Sequence, residues 1–114
     1  MTVEPELPDE LLNEAREYTD TAVITICRFS GEGWDRKCEA AQDGYVLDGE
    51  EKRNSELSAK IFENGDFCLT NAENDMVEKV KKAFPHVIVV MNVGGIVDTK
   101  WFRDCDEIQS VLMA

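Results

Sequence analysis

The chain has 114 residues, which suits one domain with a modest core. It carries 24 acidic and 12 basic residues, a net charge of −12. That balance repels a phosphate backbone and an anionic membrane surface, and no apolar run approaches the ~20 residues of a membrane span, so neither nucleic acid nor membrane is expected as a partner.

The first residues, Met1 to Glu6, are acidic and lack the basic-then-apolar pattern of a secretory signal. Residues 7–18 read as a helix. Pro8 suits its first turn, and Leu11, Leu12, Ala15 and Tyr18 fall on one face. Residues 21–27 form a first strand, apolar on both faces, as expected of a buried parallel strand. Cys27 within it reads as a small buried hydrophobe. The other cysteines, Cys38, Cys68 and Cys105, are widely spaced and match no zinc pattern. Reduced thiols and a cytoplasmic setting are therefore expected.

Residues 37–62 are polar and uneven, and read as a variable acidic loop with a short helical turn near residues 57–62. Thr70 and Glu73 then form a capping box. The helix that follows turns Ala72, Met76, Val77, Val80, Ala83 and Phe84 to one side, and Pro85 ends it. His86 opens a second buried strand over residues 87–91. A lone histidine there is a strand-edge residue and not a metal ligand. A turn at 92–95, a short helix at 98–102 and a third strand at 108–113 complete the chain. Alternating helices and strands imply a small parallel sheet with helices on its faces, a three-layer αβα sandwich. With so few strands its edges stay open, which points to self-association or a partner domain.

The chemistry concentrates after the first strand, in Ser30-Gly31-Glu32-Gly33-Trp34-Asp35-Arg36. Glu32 sits between two glycines, on a loop at the carboxyl edge where open α/β sheets bind ligands. It is not a nucleotide fingerprint, because the third glycine of G-x-G-x-x-G is replaced by Arg36. A carboxylic acid here serves as a general acid if burial or a neighbouring charge such as Asp35 raises its pKa. Trp34 offers a flat apolar face of the kind sugars stack on, and Arg36 a fork for Asp35 or a polar ligand. By spacing alone the stretch reads rather as an exposed acidic loop held by an Asp35–Arg36 pair.

This segment resembles the S-G-E-G-x-D-R stretch of bacterial β-glucosidases of glycoside hydrolase family 3. The resemblance extends in order along the chain. Tyr18-Thr19-Asp20-Thr21-Ala22-Val23 is similar to the family's lead-in. Gly65-Asp66-Phe67-Cys68-Leu69-Thr70 is similar to its G-D-F-x-L-[ST] stretch, and Val89-Val90-Met91-Asn92-Val93-Gly94 to its V-V-L-N-x-G turn. Ile96 stands where the family often has proline.

The resemblance implies that residues 1–114 are one flavodoxin-like α/β domain, a fragment of a two-domain enzyme that hydrolyses β-glucosides or oligosaccharides with retention. Its partner would be a (β/α)₈ barrel carrying an Asp nucleophile. Glu32 would be the acid/base, with Arg28, Trp34, Asp35 and Arg36 shaping its loop and the sugar site. No metal or cofactor is implied. Retention needs two carboxyl groups about 5–5.5 Å apart, and this chain carries one of them, so alone it is expected to be inactive. The alternative is a non-catalytic α/β module that self-associates or binds a partner domain.

Overall fold

The computed structural model describes residues 6–28, 56 and 59–114. The segment 37–62 therefore lies outside the described residues except for 56 and 59–62, of which 59–61 form a helical turn.

Among the described residues, three strands form one parallel sheet in the order β1-β2-β3: β1 (Thr21–Arg28), β2 (His86–Val93) and β3 (Ser110–Met113). Around them run α1 (Asp9–Tyr18), α2 (Asn71–Ala83) and the single turn α3 (Lys100–Arg103). This is the small α/β sandwich expected from the alternation of elements. None of the described helices is long and apolar enough to cross a membrane.

Both long strands are built from β-branched residues, whose stiff side chains suit a pleated surface. Period-two alternation then sorts them. Ala22, Ile24, Ile26 and Arg28 line up with Val87, Val89, Met91 and Val93 on one face. Val87 and Val89 are wholly buried and Met91 is 1% exposed, so the central strand anchors the core. Each such side chain contributes about 1.5–3 kcal/mol by leaving water. Val77, Val80 and Phe84 of the α2 segment cover this face, with Leu7, Leu12 and Ala15 beside them. Lys79 ties the two helices together, donating to the Leu7 carbonyl at 3.1 Å and lying 3.5 Å from Asp9.

The opposite face departs from expectation. Val23, Thr25 and Cys27 stand outward on β1, and Val23 is 62% exposed. Cys27 is exposed rather than buried, because the strand's period puts it opposite Ile26 and Arg28. A run of β-branched residues looks alike in sequence whether one face or both are covered. Among the described residues, the helices pack against one face. Similarly, Leu11 and Tyr18 lie on the outer side of α1, while Leu12 and Ala15 face the core. Asn92 and Val93, expected in a turn, continue β2 because they pair with Cys27 and Arg28. The turn falls at Gly94 and Gly95, and Gly95 has φ 97°, a left-handed conformation that favours glycine.

Candidate functional site at the carboxyl edge of the sheet

β1 and β2 end level with one another, Arg28 opposite Val93. The chain leaves β1 at this edge, α2 starts here, and the 66–68 turn lies against it. Asp98 N–H donates to the Phe67 carbonyl at 2.9 Å, which fastens the segment after β2 to that turn. A second tight turn precedes it: Gly65, at φ 77°, donates its N–H to the Phe62 carbonyl at 2.9 Å.

The buried polar or charged residues among those described are Arg28, Asp66 and Thr70, all at this edge. Arg28 organises them. Its Nε donates to the Asp66 carbonyl at 3.0 Å. Nη1 donates to the Cys27 carbonyl at 2.8 Å and to Glu73 Oε1 at 2.7 Å. Nη2 donates to the Cys68 carbonyl at 2.9 Å and to Glu73 Oε2 at 2.6 Å. A guanidinium has five N–H donors in a fixed fork, and all are used here. Its carbon also lies 4.7 Å from the centre of the Phe62 ring, a cation–π distance.

Glu73 closes the arrangement from α2. Its carboxylate takes both arms of the arginine fork, the bidentate geometry that makes such pairs strong. Oε2 also accepts from Thr70 N–H at 2.9 Å, while Glu73 N–H donates to Thr70 Oγ1 at 3.1 Å. The capping box expected from Thr70 and Glu73 is thus present. The same carboxylate that caps α2 neutralises the buried cation at the end of β1. The Arg28 side chain is 3% exposed and that of Glu73 23%.

Arg28, expected to shape the loop and the sugar site, therefore has no N–H left to offer a ligand. Glu32, Trp34, Asp35 and Arg36 lie outside the described residues, as does Cys38. The structure adds Glu73 to the site, together with an open groove beside it lined by Glu63, Asn64, Cys68 and Trp101. Trp101 is fixed there by donating its indole N–H to the Asp98 carbonyl at 3.0 Å. Sequence reading placed Glu73 only as a helix cap. The available signal was topological: in a parallel β-α-β unit, the end of the strand and the start of the helix share an edge. An arginine at the first and a glutamate at the second can therefore meet.

No group of residues suited to hold a metal ion is found among the described residues.

No family model matches the chain. It is 55% identical over its whole length to a β-glucosidase A of Butyrivibrio fibrisolvens, of which it covers 14%. It is 30% identical over 92 residues, 81% of the chain, to a β-glucosidase of Ruminococcus albus, of which that match covers 7%. The chain thus spans a small part of the length of the curated relatives it matches. The crystal structure of a β-glucosidase from Paenibacillus barengoltzii shares the fold. It has a TM-score of 0.61 at 23% identity, covering 95% of this chain and 9% of that one.

Proposed function

We propose that this chain, a β-glucosidase segment by its relatives, supplies the acid/base carboxylate of a retaining β-glucosidase. The observation that carries the reading is the 55% identity over the whole chain to a β-glucosidase. The S-G-E-G-x-D-R resemblance, characteristic of glycoside hydrolase family 3, adds to it. So does the position of the segment, which leaves β1 at the sheet edge where α/β folds bind ligands.

In this mechanism a partner (β/α)₈ barrel provides an Asp that attacks the anomeric carbon. The bond to the aglycone oxygen breaks, and that oxygen takes the proton of Glu32. Water then attacks the glycosyl-enzyme, Glu32 takes the water's proton, and the sugar leaves with the hydroxyl. Trp34, Asp35 and Arg36 shape the loop and the sugar site. No metal or cofactor enters, and a cytoplasmic setting belongs to the same proposal.

The test is a chimera in which this chain replaces its matching segment of the Butyrivibrio fibrisolvens enzyme. Glu32→Ala should slow glucosides with poor leaving groups by roughly 10²–10⁴-fold, the usual contribution of general acid catalysis. Activated aryl glucosides should suffer less at the first step, and azide should restore turnover by attacking the glycosyl intermediate in place of activated water. Asp35→Ala should show neither signature. A chimera without activity, or a Glu32→Ala loss that is equal for all leaving groups, refutes the assignment. The isolated chain should show no turnover. If it turns over robustly and Glu32→Gln abolishes that turnover, the nucleophile has been misplaced.

The exposed apolar face of the sheet favours a second reading, a non-catalytic module that docks onto a partner domain or a copy of itself. A chimera indifferent to Glu32 but dependent on Val23 would support it.

A further inference from the structure

We infer that Arg28 and Glu73 are a positioning pair for the acid/base loop, acting on catalysis through the fixed end of β1 without touching the sugar. The inference rests on the proposed role of Glu32 and adds two residues to it.

The first argument is donor saturation. Arg28 spends all five N–H groups on Glu73 and on the carbonyls of Cys27, Asp66 and Cys68. An arginine that contacted a sugar hydroxyl would keep a donor free. This one instead binds the strand end, the 66–68 turn and the first turn of α2 into one unit.

The second argument is placement. Arg28 is the last residue of β1, and Glu32 follows four positions later, within at most about 14 Å along the chain. The point where the loop begins is thus held by a buried, bidentate ion pair. A catalytic carboxyl must sit within a narrow tolerance, since a misplacement of about 1 Å can cost around 10²-fold in rate. A fixed end of β1 sets the point from which the chain to Glu32 starts.

The third argument is cost. Opposite Arg28 in the register stands Val93, 8% exposed. An apolar residue at position 28 would extend the core over that site, and buried ion pairs are often no more stabilising than apolar residues of similar volume. Stability alone does not call for a charge there, and a fixed strand end at the loop does.

The same chimera tests the pair through a double-mutant cycle with Glu32→Ala, after circular dichroism confirms folding. Glu73→Gln should lower kcat about 10-fold or more on an alkyl glucoside, with KM within about twofold. The loss on a dinitrophenyl glucoside should stay within about twofold, because that leaving group needs little protonation. In the Glu32→Ala background, Glu73→Gln should cost almost nothing further, since residues that act through one another are non-additive. Glu73→Asp, which keeps the charge, should recover part of the loss. Equal losses on both substrates, additive losses in the cycle, or a folded Glu73→Gln with unchanged kcat would overturn the inference. Should Glu73→Gln not fold, Glu73→Asp takes its place in the cycle, and additivity there overturns it equally. Glu32→Ala alone reports separately on the acid/base reading. If it lacks leaving-group dependence, that reading fails whatever the cycle shows.

Discussion

Glu73→Gln is the sharpest probe of what holds the carboxyl edge together. The change keeps the shape of the side chain and one acceptor oxygen for the capping box, removes the charge, and turns the other oxygen, which accepts from Arg28, into an NH2 donor. At a charge separation of about 4 Å and an effective dielectric near 20, the attraction lost is about 4 kcal/mol. Arg28 stays buried, but it keeps the carbonyls of Cys27, Asp66 and Cys68 as partners. Glu73 is also 23% exposed, so solvent already screens part of the interaction. The expected cost is therefore about 2–4 kcal/mol, somewhat below the ~3–5 kcal/mol of a fully orphaned buried charge. That is a large share of the ~5–15 kcal/mol that stabilises a typical domain. Urea unfolding of the dilute chain at neutral pH should show it as a midpoint lowered by about 1–2 M, for a slope of ~1–3 kcal/mol/M. Arg28→Met in the Glu73→Gln background should then recover most of the loss, since it removes the stranded cation and fills the space. A Glu73→Gln variant within about 0.5 kcal/mol of the parent would refute the reasoning, and so would a double variant less stable than the single one.

Two further predictions concern other surfaces. Val23 and Leu112, 62% and 52% exposed on the uncovered face, should drive self-association of the isolated chain. Val23→Lys should shift light scattering towards monomer, whereas a clean monomer of the parent at high concentration would contradict the idea. At the start of the last segment, the Cys105 thiol 3.2 Å from Glu107 Oε2 holds that carboxyl below its ordinary range, with Lys81 adding to the effect. Because the folded value is depressed, the contribution to stability is present above the usual glutamate value of about 4.3 and is lost as pH falls through the lower folded value. Cys105→Ala should raise the Glu107 titration midpoint followed by carbon NMR, and an unmoved midpoint would show that the thiol does not act.

Much of the scaffold was legible because its signals are local. Thr70 and Glu73 stand at capping-box spacing, Pro85 ends α2, and the β-branched runs at 21–27 and 87–91 read as strands. What escaped was non-local. Nothing within β1 says whether Val23 or Ile24 will be covered, because that depends on where helices from elsewhere in the chain settle. Cys27 was misplaced for the same reason: it ends an apolar run, but its parity in the strand turns it away from the core. Of Arg28 the resemblance implies only that it shapes the loop and the sugar site. Its burial depends on Glu73, 45 positions away, and on carbonyls from a turn with no pattern of its own.

The two ends of the β1–β2 pair show what the clasp adds. At the amino end, Thr21 faces His86, and a backbone bond from His86 N–H to the Asp20 carbonyl at 3.2 Å joins the chains there. At the carboxyl end, Arg28 is locked by side chain and backbone from a turn and a helix. Both ends belong to the same sheet with the same core, so a general demand for stability would act on them alike. The costlier solution occurs only at the end from which the Gly31-Glu32-Gly33 segment departs. If that end were built for stability, replacing Arg28 and Glu73 together with uncharged residues would leave the proposed activity intact once the fold is restored. If it is built for position, the same replacement separates the two properties: a stable fold with a loop base no longer fixed, and slow turnover of the substrates that need Glu32 to protonate them.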